Sequence, residues 1–137
     1  MGIVYRKFDK GDFLNFCTLV DDEWKDMHNS LAWSVFKADN DVEQCLLALE
    51  DQKIVGYIYG FILPNKTLLP EFLYILPDYR KQGIGAELLS EFEKNFGCTV
   101  SKVYYNKELH DFYNKAGYLS GDKLEVAIKE LPFIKEG

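Results

Sequence analysis

A chain of 137 residues, 47% hydrophobic and 15% aromatic, is long enough for one buried core and too apolar to stay disordered. Its net charge of −6 argues against nucleic acid as a partner and suits a cationic small molecule or a basic peptide end. No apolar run approaches the roughly 20 residues of a membrane span, and residues 1–7 carry no secretory segment, so the expectation is one domain over residues 1–137 in the cytoplasm.

Residues 3–8 read as a short strand. Asp12 follows as a helix cap, with Phe13, Phe16, Cys17, Val20 and Trp24 on the apolar side. The acidic cluster Asp21, Asp22, Glu23 and Asp26 reads as a solvated helix face. A second short helix is expected around residues 31–36. Two β-rich runs, 45–50 and 54–63, are joined by a polar turn at 51–53, and a turn at 64–66 leads to a strand over 68–76. Pro70 falls inside that last run, so its start is expected at an edge or outside the sheet proper. A helix over 83–96, apolar along Ile84, Leu88, Leu89, Phe92 and Phe96, ends at Gly97. A strand over 99–105, a helix over 108–116 stopped by Gly117, and a strand over 124–131 complete the order β-α-α-β-β-β-α-β-α-β, with room for one more near Tyr118. Three successive strands joined by hairpin turns require a mixed sheet. Cys17, Cys45 and Cys98 are scattered, which predicts small core hydrophobes rather than a disulfide framework or a metal site.

The stretch from Leu73 to Ala86 carries the strongest functional signal. An apolar strand stops at Pro77 and feeds a basic turn that opens the long central helix. Amides at a helix start lack intrahelical partners and the dipole adds positive charge, so the site suits a phosphate. Gly83 and Gly85 have no Cβ and admit close approach. A Rossmann turn would need a third small residue where Leu88 stands, and the Gly-Lys-Ser/Thr of a P-loop is absent. The remaining pattern, Arg80-x-x-Gly83-x-Gly85 between strand and helix, resembles the acetyl-CoA signature of the GNAT N-acetyltransferase superfamily. A second segment, Asn106 through Phe112-Tyr113-Asn114-Lys115-Ala116-Gly117-Tyr118, is similar to that family's second motif. The two motifs span residues 73–118 in the family's order.

The resemblance implies an α/β (α+β) acyl-CoA N-acyltransferase fold, in which a mixed, mostly antiparallel sheet flanked by helices splays at the acetyl-CoA site. The splaying strands would be those ending at Leu76 and Tyr105. By the same resemblance, the pantetheine arm pairs along Leu73, Tyr74 and Ile75, and the diphosphate meets the amides of Gln82, Gly83, Ile84, Gly85 and Ala86. Arg80 and Lys81 would add charge there, and Asn106 would reach the pantetheine amides. Solubility at an exposed turn is the plainer account of Arg80 and Lys81, and a strand-ending turn that of Asn106.

Acetylating an amine requires removal of a proton, because a lysine-like amine of pKa near 10.4 is mostly charged at neutral pH. Glu71 is the candidate base. It precedes Leu73 and Ile75 by even steps and shares their side unless a bulge intervenes. Other family members place the acid two residues earlier, where this chain has Leu69; a carboxylate capping the strand or paired to a lysine is the plain alternative. Tyr113 matches the family's tyrosine beside the departing thiolate. Full proton transfer from a phenol of pKa about 10 to a thiolate of pKa about 8.5 is uphill by roughly 2 kcal/mol, so hydrogen-bond donation is the more favourable role. Simple ring packing would also account for it. His28 and His110 have no catalytic partner at a telling spacing and read as surface residues, while Tyr57, Tyr59 and Phe61 suit an acceptor wall or a core face equally.

The expected activity is direct transfer of acetyl from acetyl-CoA to a primary amine of a small molecule or peptide. No metal and no covalent enzyme intermediate are invoked, since no cysteine falls in either motif. A weaker resemblance, over residues 55–64, is to aminoglycoside 3-N-acetyltransferases; aminoglycosides, polyamines and peptide amines all stay open as acceptors. A non-catalytic acyl-CoA-binding regulatory module is the rival reading, and a homodimer is compatible with either.

Overall fold

The computed structural model describes residues 2–12, 14–16, 19, 44–120 and the single positions 127, 129 and 131. The expected helix around residues 31–36, Phe13, Cys17, Val20, Trp24, His28 and the acidic cluster at 21–26 lie outside them, as does the strand expected over 124–131 except at 127, 129 and 131, which carry no strand. The chain divides into two compact units at residue 103.

In the first unit, β1 (Val4–Lys7), β2 (Cys45–Glu50), β3 (Lys53–Ile62), β4 (Thr67–Ile75) and β5 (Val100–Ser101) form one sheet in sequence order. The first four are antiparallel neighbours, while β5 runs parallel to β4, so the sheet is mixed as expected. Asp51 and Gln52, both with positive φ (49° and 69°), close the β2–β3 hairpin as two left-handed residues do. At the next turn Asn65 Oδ1 accepts the Thr67 amide at 3.1 Å.

Side-chain alternation divides the core into two layers. Cys45, Leu47, Leu49, Ile54 and Tyr57 cluster with Phe16, and edge-on rings link Phe8 to Phe16 and Phe16 to Tyr57. Tyr59 and Phe72 pack on the same cluster, stacked at 5.7 Å, so Tyr57 and Tyr59 serve the core while Phe61 is exposed. The other layer is closed by α1 (Ile84–Lys94), which buries Ile84, Leu88, Leu89 and Phe92 and contacts β2, β3 and β4. Burying such a side chain contributes roughly 1.5–3 kcal/mol before entropy is counted. The helix stops at Lys94, two residues before the expected end, and Gly97 adopts φ 68° beyond it. Burial pushes the Cys45 thiol far up, leaving it a neutral core residue. No helix among the described residues is long and apolar enough to cross a membrane.

The Asp12 carboxylate grips Arg6 through two bonds of 2.7 and 2.8 Å and accepts the Asp9 amide at 2.9 Å; the start of the helix it is expected to cap rests on residue 13, outside the described residues. Two local expectations change. The strand expected over 99–105 contracts to Val100–Ser101, followed by one further bond from the Lys102 amide to the Leu68 carbonyl at 2.8 Å. Pro70 lies inside the sheet, paired with Gly60.

These two changes have one cause. A parallel ladder that takes the Lys102 amide onto Leu68 would next require the residue 70 amide to donate to the Lys102 carbonyl. Proline has no N–H to give, so the ladder ends there. The β3–β4 register jumps at the same place: Tyr59 faces Phe72 and Gly60 faces Pro70, which leaves Glu71 as the extra residue of a β-bulge. Counting even steps from Glu71 to Leu73 and Ile75 therefore fails to predict its side. Gly60 fits because it has no side chain: a Cβ there would lie 2.9 Å from Pro70 Cα and closer still to the Leu69 carbonyl oxygen.

In the second unit a 3₁₀ turn (Lys107–Leu109) runs into α2 (His110–Lys115). Gly117, at φ 94°, ends α2 as expected: its amide bonds the Asn114 carbonyl, the Tyr118 amide bonds that of Tyr113, and the two tyrosine rings meet edge-on. Residues 118–120 carry no strand.

Gly60→Ala is expected to destabilise the fold by about 1–3 kcal/mol, because β4 backbone must move to admit the methyl group. Chemical denaturation measures it.

Candidate functional site

The open edge of β4 follows from its hydrogen-bond phase. The Leu76 amide donates to the Val55 carbonyl at 2.8 Å, so residues 72, 74 and 76 turn their backbone groups toward β3. Leu73 and Ile75 then turn theirs outward, along the edge β5 has left. Of the three strand residues expected to face an incoming arm, Tyr74 thus points its N–H and C=O inward. It contributes its ring instead: Arg80 Cζ lies 5.3 Å from the ring centroid, and Arg80 Nε donates to the Ile75 carbonyl at 2.8 Å. Arg80 is therefore anchored to the strand end by one edge of its guanidinium.

Beyond the strand, a 3₁₀ turn (Pro77–Tyr79) leads to Arg80 in extended conformation. Lys81 (φ 63°) and Gly83 (φ 84°) are left-handed, and Gly83 is the residue before the first turn of α1. The Glu87 amide is the first to find a helical acceptor, the Gly83 carbonyl at 3.1 Å. The amides of Gly83, Ile84, Gly85 and Ala86 have no intrahelical acceptor and lie at the positive end of the dipole. Arg80, Lys81, Gln82, Gly83 and Ala86 are exposed, whereas Ile84 is buried and pins the turn to the core. A Cβ placed on Gly83 meets nothing within 4 Å, so the space before the amides is open. The turn is braced by Tyr79, whose hydroxyl donates to Glu50 Oε1 at 2.9 Å, and by Gln82 Nε2 on the Asp78 carbonyl at 3.2 Å.

Glu71 is exposed on the bulge, yet partial desolvation raises its pKa above the ordinary carboxylate range. That direction suits a proton acceptor working near neutral pH.

In the second unit, Asn106 starts the 3₁₀ turn, accepting the Leu109 amide on its carbonyl at 2.8 Å; its exposed side chain takes no part in capping. Tyr113 is buried in an aromatic group, stacked on Tyr105 at 4.7 Å with Phe112 edge-on at 5.0 Å. Burial first, then Tyr105, raises its pKa, so the phenol stays protonated through neutral pH. His110 is exposed as expected, its Nδ1 3.3 Å from the Tyr105 hydroxyl.

An outward-facing strand edge followed directly by free helix-start amides fits a ligand with an amide-bearing arm ending in a diphosphate. The sequence allows for a bulge but does not place it. Pro70, and Gly60 as one of two glycines inside the β3 run, are its signals.

Comparison with known proteins agrees. Residues 41–119 match the acetyltransferase (GNAT) domain family. Among solved structures, the fold is similar to aminoglycoside N-acetyltransferase AAC(6')-Iy in complex with CoA (TM-score 0.73, 14% identity, 95% of this chain and 96% of that one). It is also similar to diaminobutyrate acetyltransferase EctA from Paenibacillus lautus, bound to its substrate and coenzyme A (TM-score 0.61, 21% identity, 82% and 71%). A third is ribosomal-protein-alanine N-acetyltransferase from Brucella melitensis biovar Abortus 2308 (TM-score 0.65, 16% identity, 94% and 100%).

Gly83→Ala is expected to cost roughly 1–2 kcal/mol in a denaturation experiment, from left-handed strain alone, since the added methyl group meets open space.

Proposed function

The chain belongs to the GNAT acetyltransferase domain family, and from that premise we propose that it transfers acetyl from acetyl-CoA directly to a primary amine. The observation that carries this reading is the continuity of the open β4 edge with the amides at the start of α1. Leu73 and Ile75 would hold the pantetheine amides, and Gly83, Ile84, Gly85 and Ala86 the diphosphate, with Lys81 and the outer edge of Arg80 adding charge. When bound, acetyl-CoA supplies an activated thioester. Glu71 takes the amine's proton, directly or through water, and its raised pKa makes it a stronger base than an ordinary carboxylate. Tyr113 keeps its own proton and donates a hydrogen bond to the departing sulfur, because a phenol of raised pKa is a poor acid and a good donor. Asn106 positions the arm through its side-chain amide.

The acceptor reading stops at a primary amine. The similar structures named above belong to enzymes of an aminoglycoside, of diaminobutyric acid and of a ribosomal-protein alanine, so this fold by itself does not select among such amines. The cytoplasm is the proposed compartment, a reducing environment that three scattered cysteines suit.

Steady thiol release with an amine panel is the test. Tyr113→Phe is expected to lower kcat about 10- to 100-fold while leaving CoA binding intact. Absence of thiol release from the unaltered protein across the panel would favour a binding module. Activity falls as Glu71 is protonated, so the acid limb of the pH–rate profile is expected above the ordinary carboxylate range. That limb should disappear in Glu71→Gln, along with most of the rate; an unchanged limb would remove Glu71 as the base.

A further inference from the structure

The turn that presents the amides of α1 is tied to the far side of the sheet by one side-chain bond. Tyr79 stands immediately before Arg80, and its hydroxyl reaches Glu50 Oε1 at 2.9 Å. Glu50 ends β2, two strands away from β4, and pairs with Lys53 across the β2–β3 hairpin. Lys53 Nζ lies 5.8 Å from the Tyr79 ring centroid, so the ring is flanked by the carboxylate and the ammonium of one hairpin. The other braces of the turn are local: Arg80 holds the adjacent strand end, and Gln82 bonds back to Asp78 within the turn itself. Only the Tyr79 bond, among those described, fixes the turn to an element distant in sequence.

We propose that Glu50 and Tyr79 are positioning residues for the donor's diphosphate: their hydrogen bond holds the left-handed turn at Lys81–Gly83 so that the α1 amides converge on the anion. This rests on the acetyl-CoA reading of the site. Several amides that must meet one anion tolerate little displacement, so loosening the turn weakens the diphosphate's hold and leaves the acetyl end alone. The charge of Glu50 strengthens the bond, as an ionised acceptor does.

The test compares two donors, acetyl-CoA and S-acetylpantetheine, which lacks the diphosphate and nucleotide. Tyr79→Phe and Glu50→Ala are expected to raise KM for acetyl-CoA about tenfold, with kcat within twofold of the parent. With S-acetylpantetheine the same variants should match the parent. Glu50→Gln keeps an accepting oxygen and should recover most of the loss. An equal loss on both donors, or no change in KM for acetyl-CoA, would overturn the proposal. CoA titration of the unaltered protein separates the two levels: no binding there defeats the underlying reading, whereas intact binding that Tyr79→Phe and Glu50→Ala leave unchanged defeats this inference alone.

Discussion

The amide hydrogen that Pro70 lacks shapes the first unit more than any bond that is present. A sheet extends by pairing, and β4 and β5 begin as ordinary parallel neighbours at Thr67 and Leu68. At the next ladder position a donor is required and proline has none. The bulge at Glu71 shifts the hydrogen-bond phase within the same two residues. β4 thus continues for five residues with no further strand on its outer edge among the described residues, Arg80 Nε reaching only the Ile75 carbonyl, a condition that sheets usually avoid because an open edge invites pairing. Here the open edge leads straight into the anion-binding start of a helix. Such a placement turns a liability into a binding surface.

The bulge is stabilised from its partner strand. Gly60 lets the backbone of Leu69 and Pro70 come closer than any side chain would allow, and the aromatic residues on either side, Tyr59 and Phe72, lock the register by stacking. Chemistry and stability meet at this point. The residue that the bulge displaces from the regular alternation, Glu71, is also the one whose carboxylate is partly desolvated.

Much of this was legible in the chain. Leu88, Leu89 and Phe92 repeat at helical spacing because α1 covers a sheet, and the glycine turn before it reads correctly because its backbone needs φ above zero at Gly83. The Gly117 stop was equally plain. What failed was anything that depends on a partner strand. Val100 to Tyr105 has strong strand character, yet only two residues pair, since pairing is decided by what β4 can offer. The side of Glu71 could not be counted from a regular strand, because the bulge is set by Gly60 ten or more residues earlier. The contact between Tyr79 and Glu50 left no local trace.

The account stands most directly on the direction of two amides. Hydrogen exchange followed residue by residue along β4 would show Leu73 and Ile75 exchanging fast in the free protein and slowing when CoA is added, while Tyr74, bonded to β3, stays protected throughout. If Leu73 and Ile75 were already as protected as Tyr74 without ligand, or were untouched by saturating CoA, the open edge would not be the donor's seat.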